Sequence, residues 1–134
     1  MLMTKRDIKY LIISFLVILL FVIHLFYKKI GMKAYREVQK DTLTHSLKEG
    51  NYRGSFQAYH MNLATVSFTI DDDSIHCFTI ERIFTAPWIS IKEALTDSIQ
   101  KNNSLNFDAV SGATQSSYYV KAAIQDAIKK QQNP

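Results

Sequence analysis

From Tyr10 to Tyr27 the chain reads YLIISFLVILLFVIHLFY. These are about 18 positions without a formal charge, which at 1.5 Å per residue make roughly 27 Å of apolar helix, close to a bilayer core. Tyr10 and Tyr27 stand at its ends, where amphipathic rings favour the interface, and Lys9, Lys28 and Lys29 flank it as snorkelling cations. Beyond it the spacing of Ile30, Ala34 and Val38, then Leu43 and Leu47, predicts one or two juxtamembrane helices, with Gly50 as a stop. The pattern then changes period. A strand is expected over Asn51–Tyr59, with Gly54 relaxing its backbone. Ala64, Val66, Phe68 and Ile70 alternate with Thr65, Ser67 and Thr69 as a half-buried strand. Asp71-Asp72-Asp73-Ser74 is a turn into a third strand, Ile75 to Phe84.

A helical period returns at Ser90-Ile91-Lys92-Glu93, which has the form of a capping box. The helix it opens places Ile91, Leu95 and Ile99 on one face and ends near Asn102 or Asn103. A last helix, about Ser116 to Lys130, is expected to bury Val120, Ala123, Ile124, Ala127 and Ile128. No internal repeat or low-complexity stretch interrupts this order. The expected fold class is α+β: an N-terminal transmembrane helix followed by a small antiparallel sheet with packed helices. The organisation is a membrane anchor (1–29), a juxtamembrane helical linker (30–47), one folded domain (48–130) and a short tail (131–134).

Charge sharpens this division. The formal net charge is +4, but residues 1–40 hold eight Lys or Arg against two acids, whereas the rest holds eight against ten. The basic excess flanks the membrane segment, so the folded domain has no surplus to suggest nucleic-acid binding. A cleaved signal peptide is the rival for the apolar run. Its core would be shorter, and no small-residue cleavage site follows, so the run reads as an uncleaved anchor. Bases on both sides leave the topology open: Lys5, Arg6 and Lys9 before it, and Lys28, Lys29, Lys33 and Arg36 after it.

Several residues offer chemistry that their context does not support. Cys77 excludes an intrachain disulfide and any paired-cysteine metal motif. Between Ile75, Phe78 and Ile80 it reads as a small apolar core residue. His24 reads as interfacial, and His45, His60 and His76 have no metal-ligand spacing. The three successive acids lack the glycine and distal glutamate of a calcium loop. No metal site is expected. No Ser-His-Asp order or nucleophile elbow points to a hydrolase.

The informative segment is Asn106–Ser117, NFDAVSGATQSS, directly before the last helix. Gly112 permits a tight turn, Ser111, Thr114, Ser116 and Ser117 offer hydroxyls, and amides at a helix start favour an anion such as phosphate. An ordinary serine-rich helix cap has the same composition, and on composition alone the cap is the commoner case, because Ser and Thr are the usual cap residues.

The segment resembles the flavinylation motif of the FMN-binding domain family, Asp-x-x-Ser/Thr-Gly-Ala-Thr. Asp108, Ser111, Gly112, Ala113 and Thr114 fill its fixed positions. Ser116-Ser117, the alanine-rich run Lys121–Ala127, and Gly50-Asn51-Tyr52-Arg53-Gly54 also look like that family, so the likeness covers about residues 48–130. The resemblance implies FMN attached through a phosphoester to Thr114 by a separate flavin transferase that uses FAD and magnesium. Asp108 would position or activate the acceptor, and Ser111, Gly112 and Ala113 would shape the turn. It implies an electron carrier rather than an enzyme, working between a redox donor and acceptor, on the extracytoplasmic face of the cell membrane as a single-pass protein. Trp88, Phe84 and Tyr52 are candidates to pack near the flavin ring, or simply core or surface aromatics. Thr85-Ala86-Pro87-Trp88 bears a remote likeness to a loop that longer members place near the flavin. Two other readings remain at this point: a reversible FMN-binding sensor or assembly subunit of a membrane redox complex, and a flavin-free interaction module.

Overall fold

A computed structural model describes residues 4–39, 47–85 and 90–132. Leu43, His45 and Trp88, singled out above, lie outside the described residues. The element order is α1 (Lys5–Gln39), β1 (Gly50–Ala58), β2 (Met61–Asp71), β3 (Ser74–Ile83), α2 (Lys92–Asn102) and α3 (Thr114–Gln132). The three strands form an antiparallel sheet in the order β1-β2-β3. An N-terminal apolar helix, this sheet and two further helices make the α+β architecture that the changing period predicts.

The apolar run and the start of the juxtamembrane stretch form one helix of 35 residues. No proline interrupts it, and a single mid-helix glycine, Gly31, costs only about 1 kcal/mol. Its last turns are held by packing: Ile30 and Ala34 are fully buried, and Tyr35 meets Tyr118 of α3 edge to face, the centroids being 5.2 Å apart. Gln125 Nε2 of α3 donates to Val38 O at 3.2 Å. Gly50 is not a helix stop next to a described helix end but the first residue of β1, at φ 147°.

One face of the sheet is the core. Tyr52, Phe68 and Phe78, one from each strand, stack across it with centroids 5.0 and 5.8 Å apart. Phe56 stacks on Tyr119 of α3. α2 and its N-cap contribute Leu95, Ile99 and Ile91, and α3 contributes Val120, Ala123, Ile124, Ala127 and Ile128, all buried as their spacing predicts. α3 lies closest to β1. A Cβ on Gly54 would overlap Ala123 O and Ala127 N and come within 2.8 Å of Ala127 Cα. Gly54 therefore admits the helix rather than merely relaxing the strand. Beside it, the Ser55 amide donates to Asp126 Oδ2 of α3 at 2.8 Å, satisfying an edge-strand donor.

Both hairpins turn through two residues in the left-handed region. Asp72 and Asp73 (φ 46° and 55°) form the acidic turn, and Tyr59 and His60 (φ 51° and 63°) form the other. Cys77 departs from expectation: it is exposed, at φ 51°. The pairing shifts from Ser67↔Thr79 to Thr69↔His76, and this bulge turns Cys77 outward so that Phe78 can face the core. Thr65, expected on the outer face, is 8% exposed, and its hydroxyl bonds the Asn62 side chain. Ser90 and Glu93 do meet, Oγ to Oε2 at 2.8 Å, but side chain to side chain. Ile91 is already right-handed helical (φ −105°, ψ −12°), so Ser90 stands one position too early for reciprocal amide capping.

Candidate functional site

The loop from α2 to α3 takes its shape from alternating burial. Leu105, Phe107 and Ala113 are pinned in the core, while Asn106, Asp108, Ser111 and Gly112 are exposed. At its end the Ala113 amide donates to Val110 O at 3.0 Å, with Gly112 at φ 80°. A positive φ at the third position is the mark of a type II turn, which only glycine adopts without strain, so Gly112 is there for its conformation. A Cβ added to it would meet nothing within 4 Å: the space above the turn is open.

Ser117 fastens this turn from below. Fully buried, its hydroxyl accepts from the Val110 amide at 3.0 Å and donates to Ala113 O at 3.0 Å. One side chain thus ties both ends of Val110–Ala113 to the first turn of α3. Ser116 is also buried, its Oγ donating to Phe84 O at 3.1 Å. Of the four hydroxyls expected to surround an anion, Ser116 and Ser117 therefore point inward and support the loop, leaving Ser111 and Thr114 on the exposed side.

Thr114 is the first residue of α3 and is exposed, and its hydroxyl has no hydrogen-bond partner among the described residues. The Ser117 amide is the first in α3 to reach back, to Ala113 O at 3.0 Å. The amides of Thr114, Gln115 and Ser116 consequently have no acceptor within the helix, and their partial positive charge gathers beside the Thr114 hydroxyl. Thr85, which follows Phe84 in the chain, has its Oγ1 buried without a hydrogen-bond partner among the described residues. A free hydroxyl, unpaired amides and an open space beside Gly112 together suit a phosphate ester.

Sequence reasoning missed two neighbours. Lys121, two helical turns after Thr114 and so on the same face, lies over the Phe107 ring (5.1 Å) and the Tyr118 ring (5.8 Å). The seven-residue spacing was the available signal. α1 also passes directly beside the motif: Gln115 Nε2 donates to Tyr27 O at 3.4 Å, and Gly31 faces the Gln115 side chain. No sequence signal reports that contact.

The aromatic candidates separate. Tyr52 is core, 3% exposed, its hydroxyl donating to Lys48 O at 2.6 Å. Phe84 is 40% exposed, stacks on Tyr27, and is joined to α3 through Ser116, so it borders the motif. Elsewhere, the strand register brings Glu49 beside Asp71 and Asp72, with exposed carboxylate oxygens within 4.8 Å of one another. That acidic group lies at the β2–β3 turn, away from Thr114.

No curated protein and no solved structure matches the chain. The pattern that defines the FMN-binding domain matches residues 44–129, which is more than half of the chain and takes in all three strands, both packed helices and the turn that presents Thr114; the chain belongs to the FMN-binding domain family.

Proposed function

We propose that the protein is a membrane-anchored electron carrier that holds FMN covalently on Thr114. What supports this reading is the free, exposed Thr114 hydroxyl at the start of α3, beside the open type II turn at Gly112, within a chain of the FMN-binding domain family. α1 is long and apolar enough to cross a membrane and serves as the anchor, with the domain on the extracytoplasmic face, as the family resemblance favours.

The chain's own residues prepare Thr114 for modification. Ser117 and Gly112 fix the turn, so that the hydroxyl projects at the helix start. A flavin transferase carrying FAD and magnesium is the partner for attachment. Thr114 Oγ1 gives up its proton and bonds the flavin-side phosphorus of FAD, the pyrophosphate link breaks, and AMP leaves. Asp108, exposed on the same loop, is the carboxylate available to orient the hydroxyl within that complex. The unpaired amides at the start of α3 would hold the phosphate of the attached FMN by charge and hydrogen bonding. FMN supplies one- and two-electron redox chemistry once bound. The protein itself has no substrate to turn over: it passes electrons from a donor to an acceptor.

The test is intact mass of the full chain co-produced with an active transferase, beside Thr114→Ala. A gain of one FMN less water in the parent, absent in the variant, is expected. Flavin that leaves the parent on denaturation would instead establish reversible binding. A parent without flavin, beside a modified control protein, would refute flavin carriage by this site.

A further inference from the structure

The two hairpins use the same kind of turn and opposite chemistry. At β2–β3 the left-handed positions are Asp72 and Asp73, residues that tolerate positive φ and seek water. At β1–β2 they are Tyr59 and His60, followed by Met61. Tyrosine is poorly suited to φ 51°, where asparagine or glycine is the usual solution, so the ring is present despite the backbone and not because of it. Tyr59 is 51% exposed and Met61 37%. Phe84, 40% exposed, stands at the same end of the sheet, its amide donating to Leu63 O at 2.7 Å.

This apolar tip adjoins the end of the apolar run of α1. The Tyr59 ring lies 5.1 Å from that of Phe26, and the Phe84 ring lies 6.1 Å from that of Tyr27. Whatever surrounds Phe26 and Tyr27 also reaches Tyr59 and Phe84. No acidic residue stands between Ala58 and Met61, whereas Lys28 and Lys29 follow Tyr27 directly. Rings with polar ends and neighbouring lysines are the composition of a bilayer interface facing anionic headgroups.

We propose that the β1–β2 tip, Tyr59–Met61, together with Phe84, sits in the lipid interface beside α1 and forms a second membrane contact of the folded domain. The occupant is the bilayer surface itself. The proposal rests on α1 as a membrane span and is independent of flavin attachment.

The protein's single cysteine provides the control. Cys77 is exposed, and it lies near Phe68 of β2, seven residues and about 23 Å along the strand from Met61. An environment-sensitive fluorophore is placed on Cys77 of the full chain, on Met61→Cys and on Val17→Cys, the last two with Cys77→Ser. Each is reconstituted in vesicles of phosphatidylcholine and phosphatidylglycerol containing nitroxide lipids labelled at the headgroup or deep in the acyl chain. Position 17 is expected to be quenched by the deep nitroxide. Position 61 should be quenched by the headgroup nitroxide several-fold more than position 77. Tyr59→Asn, which suits the turn but removes the ring, should weaken quenching at 61 while leaving the fold in place. Failure of quenching at 17 overturns the span, and the proposal with it. Quenching at 17 but none at 61 overturns the tip contact alone. Equal quenching at 61 and 77 also overturns it, because the whole domain would then lie on the surface. Protection of 61 from an aqueous quencher without lipid quenching would assign the tip to a second copy of the chain, against the proposal.

Discussion

Gly54→Ala tests the closest approach in the domain. The added Cβ would overlap Ala123 O and Ala127 N and lie 2.8 Å from Ala127 Cα, all backbone atoms of a buried helix, so no side chain can swing away. Ordinary carbon–carbon contact is about 3.7 Å, so α3 must retreat from β1 by roughly 1 Å. Overpacking of this kind costs about 1–3 kcal/mol. The same retreat stretches the bond from the Ser55 amide to Asp126 Oδ2 from 2.8 Å past the useful range. A half-buried amide-to-carboxylate bond adds about 1.5–3 kcal/mol. The expected loss is therefore about 2.5–6 kcal/mol. At about 4–8 °C per kcal/mol for a domain of this size, the melting temperature should fall by at least about 10 °C. The assay is thermal unfolding of the full chain in detergent micelles, followed by the circular dichroism of the domain's aromatic residues. Because α3 begins at Thr114, flavin attachment should fall in parallel. A fall of less than about 3 °C would refute the argument, since it would mean that the helix and strand are not as tightly apposed as described.

Gly112→Ala meets no steric obstacle, so its cost, about 1–2 kcal/mol, comes from φ 80° alone. Gly112→Asn should recover part of it, and an alanine variant as stable as the parent would remove the type II turn from the account. Ser117→Ala leaves the Val110 amide without its acceptor and should cost about 1–3 kcal/mol in chemical denaturation while also slowing attachment at Thr114. An attachment rate matching the parent's, at the same transferase concentration, would show that the clamp does not position the acceptor. Alkaline pH should destabilise the domain. Burial raises the phenol pKa of Tyr119, reinforced by Tyr27, and burial also raises that of Tyr52 above the ordinary value of 10.0. Both groups therefore favour folding below that pH, and their contribution is lost as pH rises through the raised values. In a spectrophotometric titration they should ionise last and together with unfolding; ionisation in step with the exposed tyrosines would contradict their burial.

What was legible in the sequence is what depends on local period. The faces Ile91, Leu95, Ile99 and Val120, Ala123, Ile124, Ala127 are fixed by helical spacing, and the core face of β2 by alternation, because burial selects the same side chains wherever the element packs. The inward direction of Ser116 and Ser117 was within reach by the same rule. Ser117, Val120, Ile124 and Ala127 lie at helical intervals, so the phase that buries the last three also buries the first. Other features depend on what comes from elsewhere. Gly54 looks like a loosened strand until α3 is seen lying across it, and Cys77 faces out only because a register shift serves Phe78. The motif residues could be found by resemblance. Their division into those that present the hydroxyl and those that hold the loop needed the hydrogen bonds of Ser117.

The unbroken course of α1 has a consequence for how such a carrier would work. Its 35 residues reach about 52 Å, nearly twice the apolar run, and the last turns are packed into the domain through Ile30, Ala34 and Tyr35. A domain on a slack tether can sweep a hemisphere and shuttle between stations at different heights. One mounted on a stiff mast keeps Thr114 at a set height and leaves its carrier only rotation about the mast and drift in the plane of the bilayer. A donor and an acceptor of the proposed carrier would then have to present their redox groups at that same height, one after the other. For the proposed carrier, altitude above the membrane would thereby become a criterion of partner choice, before any surface of the two proteins has touched.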